Sequence, residues 1–115
     1  MRLNEMTAVV TGGASGMGES MVYALAKEGA SIVVVDRNID GANAVATNVE
    51  KEGGKAICVK ADVQSTEDLD AMANKAMDTF GQVNILVNNA GARVIKGFLE
   101  HTKEDWDTML GINLS

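Results

Sequence analysis

Apolar residues in this chain gather in short unbroken blocks, and the segments between the blocks carry helical spacing. Ala8-Val9-Val10, Ile32–Val35, Ala56–Val59 and Ile85–Val87 are continuous rather than alternating. Continuous runs suit parallel strands covered on both faces. They predict strands over Thr7–Thr11, Ile32–Asp36, Ala56–Lys60 and Ile85–Asn88. A helix is expected from about Gly16 to Glu28, with Met17, Met21, Val22 and Leu25 along one side and Gly29 ending it. A second runs from about Asp40 to Glu52, with Ala42, Val45, Ala46 and Val49 facing inward and Gly53-Gly54 as the stop. The third follows Ser65-Thr66-Glu67-Asp68, a variant capping box with Asp at the third helical position. Leu69, Met72, Ala73, Ala76, Met77 and Phe80 keep its helical period, and Gly81 stands at its C-terminal cap. A fourth begins after Thr102 and includes Trp106, Met109 and Leu110.

The order βαβαβαβα predicts an α/β fold, a Rossmann-like doubly wound parallel sheet that stops after the fourth strand and the helix behind it. Right-handed crossovers are expected. With 115 residues the chain makes one domain at most, and 46% apolar content with 3% aromatic means an aliphatic core. A net charge of −6 without a basic cluster argues against a nucleic-acid partner. A single cysteine, Cys58, excludes an internal disulfide framework and suits a reducing compartment. Within Ala56–Val59 it reads as a small core residue. No run approaches a transmembrane span and the first apolar block is too short for a signal peptide. A soluble cytoplasmic protein is expected.

Ligands of doubly wound sheets bind beyond the carboxyl ends of the strands. The residues there are informative. Thr11-Gly12-Gly13-Ala14-Ser15-Gly16-Met17-Gly18 joins the first strand to the first helix. Glycines permit a sharp turn and close approach of a ligand, and the helix start directs N–H groups at an anion. Asp36 ends the second strand, 20 residues after Gly16. A carboxylate there can accept from both hydroxyls of an adenosine ribose and would repel a 2′-phosphate, which favours NAD over NADP. Arg37 beside it could pair with that phosphate. Asp62-Val63 ends the third strand and Asn88-Asn89-Ala90-Gly91 the fourth.

Other features carry less. Gly13 and Gly18-Glu19-Ser20 fall one residue short of a P-loop, but Glu19 stands where the phosphate-binding lysine belongs. Tyr23 and Lys27 share a helix face at i and i+4, yet they lie in the helix after the glycine loop, out of easy reach of the far end of a dinucleotide. His101 has no accompanying ligand set, so no metal site is expected. Trp106 reads as packing.

Taken together, Thr11-Gly12-x-x-x-Gly16-x-Gly18, Asp36, Asp62-Val63, Asn88-Asn89-Ala90-Gly91 and Ile112-Asn113-Leu114 resemble the short-chain dehydrogenase/reductase family. The likeness runs along essentially the whole chain. It implies a nicotinamide dinucleotide, with Gly12, Ser15, Gly16, Met17 and Gly18 around the pyrophosphate and Asp36 on the adenosine ribose. It also implies Asp62 and Val63 beside the adenine and Asn89, Ala90 and Gly91 on the ribose side. Asn113 matches the family's catalytic asparagine, which organises a water and lysine relay. The implied activity interconverts a secondary alcohol and a ketone by hydride transfer. The partners implied are an alcohol or carbonyl substrate and, at full length, a dimeric or tetrameric homo-oligomer.

The family's catalytic serine, tyrosine and lysine lie downstream of this asparagine, whereas the chain ends at Ser115. Residues 1–115 are therefore read as an incomplete NAD(P)-binding domain without the catalytic half, expected to be inactive alone. The alternative is a non-catalytic dinucleotide-binding module complete at this length. A methyltransferase is disfavoured by the Asn-Asn-Ala-Gly turn. Strand Ile85–Asn88 is expected to be an exposed apolar edge that makes the isolated chain oligomeric or poorly soluble. The loop Arg93–Leu99 is the only segment expected near a substrate, and it names no substrate class.

Overall fold

Ser31–Asp36 contains three consecutive valines flanked by Ile32 and Asp36. Branched side chains are stiff and favour extended backbone, and here they form the second strand of a sheet whose four central residues are all buried. The computed structural model describes residues 3–62, 64–88 and 93–96. Its elements are β1 (Thr7–Thr11), α1 (Gly16–Lys27), β2 (Ser31–Asp36), α2 (Ile39–Lys51), β3 (Ala56–Lys60), α3 (Thr66–Phe80), β4 (Ile85–Asn88) and β5 (Arg93–Lys96). The sheet order is β3-β2-β1-β4-β5. The first four strands in that order are parallel, with Val9 of β1 opposite Val33 of β2 and Leu86 of β4.

Alternate residues of each strand point to opposite faces, and the core divides accordingly. Ala8, Val10, Ile32, Val34, Ile85 and Val87 pack with Val22 of α1 and with Ala42, Val45, Ala46 and Val49 of α2. Val9, Val33, Val35, Val59 and Leu86 pack on the other face with Leu69, Met72, Ala73 and Ala76 of α3. Each fully buried aliphatic side chain of this kind stabilises by roughly 1.5–3 kcal/mol relative to exposure.

The helices stop and start where their end residues direct. Asn38 caps α2 by accepting the Gly41 N–H at 3.1 Å. Ser65 caps α3 by accepting the Asp68 N–H at 3.3 Å. Gly81 ends α3 in the left-handed conformation, with φ 77°. Two buried contacts tie the far ends of the sheet's centre. The Asn84 side chain accepts the Thr7 N–H at 2.8 Å, and the Asn84 N–H donates to the Thr7 carbonyl at 2.9 Å.

Three expectations need correction. Strand β4 is not an open edge, because β5 runs antiparallel along it with Ile85 opposite Lys96 and Asn88 opposite Arg93. Residues 93–96, expected as a loop, are therefore a strand. Cys58 is half-buried instead of sealed in the core, since β3 is an outer strand of the sheet. Met17, placed with the inward side of α1, is 61% exposed. Gly18 is the residue of that turn which packs inward. The fourth helix expected after Thr102, with His101, Trp106 and the remainder of the 93–99 segment, lies outside the described residues. No helix among those described is long and apolar enough to cross a membrane.

Candidate functional site

Strands β1, β2 and β3 step outward in one direction, and the chain then returns through α3 to place β4 on the other side of β1. The winding reverses between β1 and β4. Helices α1 and α2 lie on one face and α3 on the other. A crevice therefore opens beyond the paired strand ends Thr11 and Asn88. The Thr11 hydroxyl donates to the Val87 carbonyl at 3.3 Å and links the two ends.

The loop leaving β1 fills one wall of that crevice. Gly13 N–H donates to the Val35 carbonyl at 3.1 Å, tying the loop to β2. Gly16 opens α1 with φ +59°, a left-handed conformation that strains any residue with a Cβ. Gly18 sits so close to the loop that a Cβ would stand 2.0 Å from the Gly12 carbonyl oxygen. The first turn of α1 thus rests directly on the loop. Ser15 precedes the helix in extended conformation, and its side chain makes no capping hydrogen bond. Asn38 and Ser65 do cap α2 and α3. The first N–H groups of α1 thus have no side-chain cap from Ser15, and they and the positive dipole end suit an anion. Met17 adds an exposed apolar side chain at the same turn.

Asp36, at the end of β2, faces this loop. Its Oδ2 accepts the Ala14 N–H at 3.0 Å, and its Oδ1 accepts the Asn38 N–H at 3.0 Å. One carboxylate joins the glycine loop to the turn that enters α2. A carboxylate has about four acceptor directions, so these two bonds leave capacity for a ligand hydroxyl. Arg37 is exposed and lines a depression with Asn38, Lys60, Ala61, Asp62 and Asp68, at the ends of β2 and β3. Asp62 accepts the Gln64 N–H on Oδ1 at 2.9 Å and donates its own N–H to Asp68 Oδ2 at 2.8 Å.

The structure brings Gly12, Ser15, Gly16, Met17, Gly18 and Asp36 to one end of the sheet, with Arg37 and Asp62 on its flank. Val63, Asn89, Ala90, Gly91 and Asn113 lie outside the described residues. Three participants went unread in the sequence. Ala14 and Asn38 act through backbone N–H groups, which carry no side-chain signal. Asp68 was legible as a cap residue but not as a partner of Asp62.

Tyr23 and Lys27 lie elsewhere. The Tyr23 hydroxyl donates to Glu19 Oε2 at 2.9 Å and accepts from Asn48 Nδ2 at 3.0 Å, which places it against α2. The Asn48 hydrogen bond lowers the hydroxyl's pKa, but burial and the Glu19 carboxylate outweigh it, and the net shift is upward. A general base needs the opposite shift. Both residues border a cavity of about 780 Å³ with Asn48, Lys51 and Gly53. That cavity is larger than the depression beside Asp62, yet it lies at the amino ends of the strands, between the last turns of α1 and α2. Lys27 and Lys51 belong to those last turns, where cations complement helix dipoles. The glycine turn and the start of α1 are at the opposite end.

A winding reversal, a glycine turn under a helix start and an acid at the tip of β2 define a nucleotide-binding α/β protein of the doubly wound class. Comparison with known proteins narrows this. The sequence profile described as short chain dehydrogenase matches residues 6–115, and the chain belongs to that family. It is 40% identical over 98 residues to the 7alpha-hydroxysteroid dehydrogenase of Escherichia coli strain K12, covering 85% of this chain and 38% of that one. A solved 7alpha-hydroxysteroid dehydrogenase complexed with NADH and 7-oxo glycochenodeoxycholic acid matches with a TM-score of 0.74 and 39% identity, over 76% of this chain and 34% of that one. A metagenomic short-chain oxidoreductase in complex with NADP matches with a TM-score of 0.74 and 31% identity, over 79% and 41%. The chain spans less than half the length of these relatives.

Proposed function

We propose that this chain is the cofactor-holding part of an NAD-dependent oxidoreductase that interconverts a secondary alcohol and a ketone. The observation that carries the reading is the Asp36 carboxylate, held beside the glycine loop by the Ala14 N–H at 3.0 Å. A fixed negative charge there accepts ribose hydroxyls and repels a 2′-phosphate, which favours NAD although Arg37 is adjacent. When bound, the nicotinamide would supply the hydride acceptor or donor. The first turn of α1, with Gly12, Ser15, Gly16, Met17 and Gly18, would hold the pyrophosphate. Asp62 and Val63 would flank the adenine, and Asn89, Ala90 and Gly91 the ribose nearer the nicotinamide.

Proton transfer at the reacting oxygen needs a general acid or base within hydrogen-bond reach. Asn113 would belong to the relay that serves that group. Tyr23 is unsuited to the role, given its raised pKa and its place against α2. On this reading residues 1–115 bind the dinucleotide without turning over, and the full-length protein is a cytoplasmic homo-oligomer acting on small alcohols or carbonyls. The test is to titrate the full-length protein with NADH and NADPH and to assay NAD reduction against secondary alcohols, hydroxysteroids included. NADH binding tighter than NADPH, with turnover of at least one alcohol, supports the reading. Tighter NADPH binding overturns the cofactor assignment, and binding of neither overturns the function.

A further inference from the structure

The turn after β3 is held by four hydrogen bonds that close on one another. Asp62 N–H donates to Asp68 Oδ2 at 2.8 Å. Asp68 N–H donates to Ser65 Oγ at 3.3 Å. Ser65 N–H donates to the Asp62 carbonyl at 2.8 Å. Gln64 N–H donates to Asp62 Oδ1 at 2.9 Å. In an ordinary capping box the acid at the third helical position turns back to the N–H of the cap residue. Here the Ser65 N–H is already taken by the Asp62 carbonyl, and the Asp68 carboxylate reaches the Asp62 N–H instead. Asp62 is thus gripped at its N–H, its carbonyl and one carboxylate oxygen. Its Oδ2 has no hydrogen-bond partner among the described residues, and both Asp62 and Asp68 line the depression beside Arg37 and Lys60.

We infer that Asp68 is a positioning residue for base recognition: it fixes Asp62 so that the Asp62 carboxylate stands ready for the exocyclic amine of an adenine. The inference rests on the dinucleotide reading above. An amine donates to a carboxylate, whereas the keto oxygen of a hypoxanthine base at the same place would be repelled by it. Without the Asp68 carboxylate the Asp62 N–H turns to water, and the turn regains freedom that binding must remove. The cap itself survives this change, because Asp68 serves Ser65 through its backbone N–H.

The experiment measures dissociation constants of the full-length protein for NADH and for reduced nicotinamide hypoxanthine dinucleotide, with thermal melts of each variant. Wild type should prefer NADH. Asp68→Ala should weaken NADH by about tenfold, the scale of one charged hydrogen bond, and leave the hypoxanthine analogue nearly unchanged. Asp68→Asn keeps an acceptor oxygen and should keep the preference. Asp68→Glu keeps the charge but moves the acceptor by one methylene, and should lose the preference even if Asp68→Ala does not fold. Ser65→Ala should lower the melting temperature without changing the ratio. Combining Asp62→Ala with Asp68→Ala should cost no more than Asp62→Ala alone. Equal weakening of both dinucleotides in the Asp68 variants, or an unchanged ratio, overturns the inference while the dinucleotide reading stands. A wild type that binds neither dinucleotide overturns both. A wild type that binds the two equally removes the base recognition that Asp68 is inferred to support.

Discussion

Asp36 accepts the Ala14 N–H at 3.0 Å, so the acid at the tip of β2 and the glycine loop after β1 move as one unit. The residue proposed to meet the ribose also holds the loop. Asp36→Ala in the full-length protein should therefore do two things. NADH affinity should fall by roughly ten- to hundredfold, matching loss of hydrogen bonds to a charged acceptor of about 1.5–3 kcal/mol. Amide exchange at Ala14 and Asn38 should also speed up without ligand, because both N–H groups lose their acceptor. Fluorescence titration and hydrogen-exchange mass spectrometry read the two effects separately. An affinity loss with unchanged exchange would show that the loop does not depend on Asp36.

Gly16 and Gly18 should tolerate alanine unequally. At Gly16 a Cβ meets open space, and the cost is the left-handed φ of +59°, about 1–2 kcal/mol. At Gly18 the Cβ would lie 2.0 Å from a backbone oxygen, so α1 must lift from the loop. Overpacking against backbone belongs at the upper end of its usual range, about 3 kcal/mol. Thermal melts should place Gly18→Ala well below Gly16→Ala, and the reverse order would contradict the close packing of α1 on the loop.

Asn84 is a buried polar residue joining the start of β4 to β1. Asn84→Ala strips the acceptor from the buried Thr7 N–H, which costs about 1–3 kcal/mol. Urea unfolding should show that loss with dinucleotide affinity unchanged, since Asn84 lies at the end of the sheet opposite the crevice.

Tyr23→Phe should leave turnover in the full-length protein unchanged, because the hydroxyl is directed at Glu19 and Asn48. Its pH signature is specific. The folded-state pKa is raised, so the neutral hydroxyl is favoured by folding. That contribution is complete below the unfolded value of about 10 and fades as pH rises through the raised folded value. The stability gap between wild type and Tyr23→Phe should be constant from neutral pH to about pH 9 and change only above about pH 10. A change centred near neutral pH would mean that a different group is coupled to Tyr23.

The four parallel strands were legible because strands covered on both faces leave unbroken apolar runs, as in Ile32–Val35. The glycine turn and Asp36 were legible because their chemistry depends on residue type. Strand β5 was not, since pairing of 93–96 with β4 is set by register across the sheet. The half-burial of Cys58 follows from β3 lying on the outside of the sheet, and strand order is not written in local pattern. Ser65 and Asp68 show the same limit at one turn. Their spacing announced a cap, but the carboxylate goes to Asp62 because the Ser65 N–H is engaged elsewhere.

Ser15 makes no side-chain cap for α1, while Asn38 and Ser65 finish α2 and α3 with their own atoms. An anion that settles on that turn is then part of the architecture as well as cargo. By mass action it raises the stability of the protein in proportion to the logarithm of its concentration over its dissociation constant. A melt recorded without such an anion would then report the stability of an unfinished helix start, not that of the occupied fold.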